Sequence, residues 1–353
     1  MKGNQRREFI KKSLLGISGA ALIPGGMKTA LTYHQQQSGI PDLPSRLLGI
    51  TGIRTPLISL GAGSANNPGF VKAAYFAGVK LFFSATYYGE GNNEKLVGEA
   101  LKGLRRDSFV IGTAVPPDGI DTRTGKLPIP FDVNAYIKKA EVSLSRFGLE
   151  YVDILLFPYA GKRDVLLNES LLKAMTELKK QGKTRFVGIS THSDCAEALK
   201  AAADSKVYEV VMTAYNYKIE NKEAMNSAVA YAAKAGIGVV AMKTTAGVFN
   251  DKSRTSALNS DALLKWALQN ENISSIVSGM SSLDELQKNI AMIKNIRLTE
   301  QEIKDLNIAG LEPGMYCHQC RTCVPQCVNR IEIPTIMRSY MYAYGYRNTE
   351  QAY

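Results

Sequence analysis

The chain reads as α/β: a (β/α)8 barrel of the TIM type, followed by a small cysteine-bearing extension. Three observations predict this. Short apolar runs alternate with longer amphipathic ones along residues 57–294. The alternation repeats eight times, and eight parallel strand–helix units close most simply into a barrel. The rival, an open doubly wound sheet, calls for a Gly-rich turn after its first strand. Gly61-Ala62-Gly63-Ser64-Ala65-Asn66 lacks the third glycine.

Taken in order, residues 1–30 resemble an export signal, 31–45 a linker, 46–312 the barrel, and 313–353 the cysteine motif with a docking tail. Residues 25–52 are rich in Gly, Pro and Gln and read as a linker and a lead-in to the barrel. Strands are expected at Leu57–Leu60, Val79–Ser84, Phe109–Val115 and Val152–Phe157, then at Phe186–Ser190, Val210–Tyr215, Gly238–Met242 and Ser275–Ser278. The helices between them are Gly69–Ala77, Asn93–Lys102, Val133–Phe147, Leu171–Gln181, Ala196–Asp204, Lys222–Lys234, Ala257–Gln269 and Leu283–Lys294. In such a barrel the chemistry belongs at the C-terminal strand ends.

Composition is that of an ordinary globular protein, with 45% hydrophobic and 21% charged residues. The net charge of +11 owes +4 to residues 1–12, and the rest is spread along helices without an Arg/Lys run interleaved with aromatics. Nucleic-acid binding is therefore not expected. Asn4-Gln5-Arg6-Arg7-Glu8-Phe9-Ile10-Lys11-Lys12 resembles a twin-arginine signal. The apolar stretch Ser13–Pro24 suits its hydrophobic region and is too short for a stable membrane span in the mature protein. The expected location is periplasmic, or membrane-associated if the signal is retained.

Near the C-terminus, Cys317, Cys320, Cys323 and Cys327 are spaced C-x2-C-x2-C-x3-C. Four thiolates within eleven residues suit one 4Fe-4S cluster, although Val328 stands where the bacterial ferredoxin run continues into proline. Zinc and disulfides are the alternative readings of the same run. Two clusters are excluded, since the chain has only one further cysteine, Cys195. Cys195 opens the fifth helix as a structural thiol, or as a fourth ligand if Cys327 points away. Twin-arginine export carries folded proteins, which suits a cofactor inserted before export. The aromatic tail Tyr340-Met341-Tyr342-Ala343-Tyr344-Gly345-Tyr346 is expected to dock on the barrel, with a helix at Ile336–Tyr342 shielding the cluster.

At its strand ends the chain resembles the aldo-keto reductases, in particular an exported branch with a C-terminal iron–sulfur motif. The resemblance spans roughly residues 46–340 and is strongest over Ala85-Thr86-Tyr87-Tyr88-Gly89-Glu90-Gly91-Asn92-Asn93-Glu94-Lys95-Leu96-Val97-Gly98. Tyr151-Val152-Asp153-Ile154-Leu155, Gly188-Ile189-Ser190, Tyr215-Asn216 and Ser278-Gly279-Met280 through Asn289 add to it. It implies carbonyl reduction with NADP(H), a tyrosine hydroxyl protonating the carbonyl oxygen beside a lysine, an aspartate and a histidine. Laid over this chain without gaps, the tyrosine falls on Tyr88. The aspartate, lysine and histidine positions fall on Phe83, Ala114 and Pro158. Free tyrosine, with a pKa of about 10, is a poor acid at neutral pH. Losing its polar neighbours is expected to cost about 10²–10⁴-fold in rate.

The same resemblance assigns cofactor-binding positions. Ser190 matches one carboxamide ligand, while Thr191 and Met212 replace the usual asparagine and glutamine. Tyr215 matches the ring that stacks on nicotinamide. Gly279 and Asn289 match the phosphate and adenine segment, where Met280, Ser281 and Ser282 stand in place of a basic residue; Gly63, Ser64 and Ser281 are further cofactor-binding candidates. A serine-lined helix N-terminus still offers backbone N–H groups to a phosphate. His192 is a substitute acid or base, or else a loop residue beside a Ser193-Asp194 helix cap. Lys243, at the end of the seventh strand, binds an anion or else pairs with a carboxylate.

Three functions follow as expectations. The first is an exported oxidoreductase acting on a small-molecule carbonyl or alcohol, with a redox partner. The second is a catalytically silent barrel serving electron transfer or binding. The third is a lyase or epimerase using Tyr88 or His192.

Overall fold

The computed structural model describes residues 39–122, 124–245, 259–311, 323–329, 331–340 and 343–344. The signal-like stretch, Cys317, Cys320 and most of the aromatic tail lie outside the described residues. None of the described helices is long and apolar enough to cross a membrane.

Eight parallel strands close into the expected barrel: β3 (Ile58–Gly61), β4 (Leu81–Ala85), β5 (Val110–Ala114), β6 (Val152–Phe157), β7 (Thr184–Thr191), β8 (Val210–Ala214), β9 (Gly238–Met242) and β10 (Ile273–Ser278). Strand β10 returns to β3 with Ile276 beside Ile58, which closes the ring. The last strand starts two residues earlier than its apolar pattern predicts, at a register irregularity between Ile273 and Ser275.

The helices are α1 (Pro68–Phe76), α2 (Asn92–Leu101), α3 (Val133–Phe147), α4 (Arg163–Leu166), α5 (Glu169–Lys180), α6 (Cys195–Ser205), α7 (Lys222–Lys234), α8 (Ser260–Gln269), α9 (Leu283–Ile293), α10 (Glu300–Leu311) and α11 (Ile333–Tyr340). Side-chain caps set many of their starts. Asn67, Asp132, Asn168, Asn221 and Asn259 each accept a first-turn backbone N–H. The Asn259 cap explains why α8 begins at Ser260 and not at Ala257. Helices α4 and α10 are additions to the expected eight.

The described part of the segment expected as a lead-in, from residue 39 on, contains a hairpin. Strands β1 (Ser45–Leu47) and β2 (Arg54–Pro56) pair antiparallel. Leu48 between them enters the barrel interior, and the Arg46 guanidinium donates to the carbonyls of Leu268, Asn270 and Ile273. This hairpin lies at the N-terminal end of β9, against Gly236 and Gly238.

Two apolar layers result. One joins strands to helices. The other fills the barrel with Leu48, Leu81, Phe83, Ala114, Ile154, Leu156, Val210, Met212, Val240 and Met242. Ile154, Leu156 and Val210 are fully buried, and each such side chain contributes about 1.5–3 kcal/mol.

Two buried carboxylates are fully engaged. Asp153 accepts from Arg106, Arg185 and the Ile111 N–H at 2.8 Å each. Glu94 accepts from Thr113, Ser143 and Arg146. Both tie helices and loops to strands, a structural duty that occupies their acceptor sites.

Candidate active site at the barrel mouth

A cavity opens at the C-terminal strand ends, and seven of the residues singled out from sequence line it: Gly63, Ser64, Tyr88, Ser190, His192, Lys243 and Gly279. Its floor is apolar. Phe83, Ala114 and Pro158 line it together with Met212 and Met242, and Tyr88 packs against this interior cluster. The positions that the resemblance gives to an aspartate, a lysine and a histidine thus converge beside Tyr88 and present carbon.

Pleating puts Phe83 and Gly112 side by side in the β4–β5 register, with the Phe83 ring lying over Gly112. Tyr88 sits against Gly63, where a Cβ would approach its Cε2 to 2.9 Å. Bare backbone at residue 63 therefore sets how deeply the tyrosine ring can settle. Tyr87 meets Tyr88 edge to face at 5.2 Å, and Tyr159 lies 5.9 Å from Tyr87. Burial pushes the Tyr159 hydroxyl up from its ordinary pKa, and Arg338 partly offsets this.

Two lining residues hold left-handed backbone without being glycine: Tyr159 with φ of 63° and Lys243 with φ of 56°. Such conformations cost of order 1–3 kcal/mol and persist where the surroundings over-determine them. At Lys243 the unusual turn breaks strand alternation, so that both Met242 and Lys243 face the cavity.

Three expected cofactor residues lie elsewhere. Tyr215 is buried in the helix layer, its ring stacked on Trp266 at 5.1 Å and its hydroxyl bonded to Asn226 and Asn270. Strand alternation is the reason. Met212 faces the barrel interior, and Tyr215, three residues on, takes the opposite face. Met242, missed from sequence, lines the cavity in its place.

Ser281 is engaged at the start of α9. Its N–H and hydroxyl both donate to Glu285 Oε2, at 2.8 and 3.1 Å, while Ser282 Oγ accepts from the Glu285 N–H. This reciprocal cap places a carboxylate on the backbone N–H where a phosphate was expected. Asn289 is buried and donates to Ser278 Oγ at 3.3 Å.

The expected cap at Asp194 does not form. Its backbone is left-handed, and its side chain makes no capping bond to α6. A cap residue ordinarily sits in the extended region, which aims its oxygen at the N2 and N3 donors. Cys195 bonds weakly to the Thr191 carbonyl at 3.9 Å, and burial pushes its thiol up. Its chemistry suits a structural thiol.

In the extension, Cys323 and Cys327 are free, half-buried thiols flanking a turn in which the Cys327 N–H donates to the Val324 carbonyl at 3.2 Å. Among the described residues no group of three or more metal-ligating side chains occurs. The tail tyrosines that are described, Tyr340 and Tyr344, stack on one another at 4.6 Å and are exposed. The contact from this helix is Arg338, which reaches the cavity. No local sequence signal marks Arg338, because its placement depends on a chain return of more than 90 residues from Lys243.

The aldo/keto reductase family profile matches residues 66–262. L-galactose dehydrogenase of Arabidopsis thaliana is 26% identical over 313 residues, covering 76% of this chain and 94% of its own. D-threo-aldose 1-dehydrogenase of a Pseudomonas species is 25% identical, covering 56% and 67%. Among solved structures, an aldo-keto reductase from Bacillus halodurans in holo form superposes with a TM-score of 0.62 at 19% identity, covering 78% of this chain and 99% of its own. One from Klebsiella pneumoniae in complex with NADPH gives 0.57 at 21%, covering 76% and 95%.

Proposed function

The chain belongs to the aldo/keto reductase family, and from that premise we propose an exported oxidoreductase that exchanges hydride between NADP(H) and a small carbonyl or alcohol. The observation that carries this is Tyr88, placed at a barrel-mouth cavity beside Ser190, Gly279 and the apolar trio Phe83, Ala114 and Pro158. Two relatives are named for aldoses, and an aldose suits a mouth rimmed by Tyr87, Tyr88 and Tyr159. Their rings offer apolar faces and their hydroxyls offer hydrogen bonds.

The residues present fit the reactive end of such a cofactor. Gly279 leaves bare backbone, where a Cβ would lie 2.9 Å from Ser64 Oγ, and Ser190 supplies a hydroxyl at the end of β7. At the α9 terminus Glu285 occupies the Ser281 N–H, so a phosphate there would have to displace that carboxylate. When bound, the nicotinamide supplies or receives the hydride. Tyr88 donates its hydroxyl proton to the developing alkoxide, or takes it back in the oxidative direction. The apolar floor excludes water from that oxygen and leaves Tyr88 without the polar neighbours the family ordinarily gives it. His192 and Lys243 line the same cavity and are the side chains proposed to assist it.

The reading includes one 4Fe-4S cluster on Cys317, Cys320, Cys323 and Cys327, supported by the four-thiol spacing and by the two half-buried thiols flanking one turn. It also includes twin-arginine export to the periplasm, supported by Arg6 and Arg7 ahead of a short apolar stretch. The apolar floor and the Glu285 carboxylate also favour a second reading, a silent barrel serving as an electron-transfer partner. Single-turnover hydride transfer from NADPH to aldoses separates the two. Transfer abolished by Tyr88→Phe supports the enzyme, and no transfer at all supports the silent barrel.

A further inference from the structure

We propose that the ligand of this cavity carries a negative charge, as a carboxylate or a phosphate monoester, and that Lys243 of the barrel and Arg338 of the C-terminal helix bind it together. This rests on the cavity being the substrate site and names the class of substrate. Among the described residues, the side chains lining the cavity include Lys243 and Arg338, with His192 as a third basic group, and no Asp or Glu. A cavity with that sign favours anions. Its apolar walls lower the local dielectric and strengthen each charge contact relative to water.

The two cations arrive independently. Lys243 follows β9 on strained backbone, which aims its stem at the mouth and away from the strand's alternation. Arg338 comes from α11, roughly ten residues beyond the cysteines, and acts electrostatically on Tyr159 at the rim. A guanidinium matches the planar or tetrahedral oxygens of a carboxylate or phosphate, and an ammonium adds a second donor point. The extension thereby completes the site, linking the cysteine segment to ligand recognition.

The test is isothermal titration of the full-length holoprotein with D-glucuronate, D-glucose 6-phosphate and neutral D-glucose. The wild type, Arg338→Met, Lys243→Met and Arg338→Lys are compared, with unfolding midpoints confirming that each variant folds. The expected result is that at least one anion binds about tenfold or more tighter than glucose, with the stronger of the two identifying carboxylate or phosphate as the group read. High salt and either Met variant should each erase most of that preference, and Arg338→Lys should keep part of it. Glucose binding as tightly as both anions would overturn the proposal. So would a preference that survives in both Met variants, or a loss in those variants that falls on NADPH affinity alone. Because binding is read directly, failure of hydride transfer would count against the proposed activity and leave this result standing.

Discussion

The ring of Phe83 fills the space beside Gly112 that any side chain at residue 112 would need. The pair makes a packed aromatic contact inside the barrel, in the middle of β4. The apolar floor beneath Tyr88 is thus built into the core.

Gly112→Ala should therefore destabilise the fold by about 1–3 kcal/mol through overpacking. Phe83→Ala should cost about 3–5 kcal/mol through a cavity. Together they should cost less than the sum, because the methyl enters the vacated space. Urea unfolding of the four proteins checks this, and strict additivity would separate the two residues.

Tyr88→Phe should leave NADPH affinity within about twofold while lowering single-turnover hydride transfer by about 10²–10⁴. Rapid-mixing absorbance of the cofactor measures both. An unchanged rate would assign proton transfer to another group.

Glu285→Ala should tighten NADPH binding, since the Ser281 N–H would be released to the phosphate. Losing the reciprocal cap should cost about 0.5–2 kcal/mol of stability. Fluorescence titration reads the first effect and thermal unfolding the second. Equal NADPH affinity in both proteins would place the phosphate elsewhere.

Acid should loosen α10. Glu302 has its pKa held below the ordinary value: burial opposes the shift, and the Lys265 ammonium at 2.7 Å with the Thr299 N–H outweighs it. Because the folded value is depressed, the stabilisation is present above the unfolded pKa of about 4.3 and fades as pH falls through the folded value. Comparing urea midpoints of wild type and Lys265→Met at neutral and acid pH should show the difference shrinking with acid.

Anaerobically purified protein should carry about four irons per chain with matching acid-labile sulfide. Cys323→Ser and Cys327→Ser should each lose most of both. Zinc in place of iron would overturn the cluster assignment.

The barrel was legible because its signal is local. Its eight apolar runs are written in short windows of sequence, whereas the caps at Asn67, Asp132, Asn168, Asn221 and Asn259 emerge only from the structure. Phe83, Ala114 and Pro158 do line the cavity, a placement that strand-end positions alone suggest. The place of Tyr215 in the helix layer was not read from sequence, because family matching carries no strand alternation: counting from Met212 by twos shows that residue 215 faces outward. The β1–β2 hairpin was hidden by its Gly/Pro content, and Arg338 by its distance along the chain from the site it completes.

The central claim is that an inherited reductase framework has exchanged its proton-delivery groups for apolar ones. Single-turnover NADPH oxidation by aldoses, compared between wild type and the F83D/A114K/P158H variant, tests it most directly, with A114K alone as the variant that leaves the Phe83–Gly112 contact intact. The account predicts slow transfer in the wild type and a gain of about 10²–10⁴-fold on reintroducing the polar groups. Rapid transfer in the wild type that these substitutions fail to increase would contradict it.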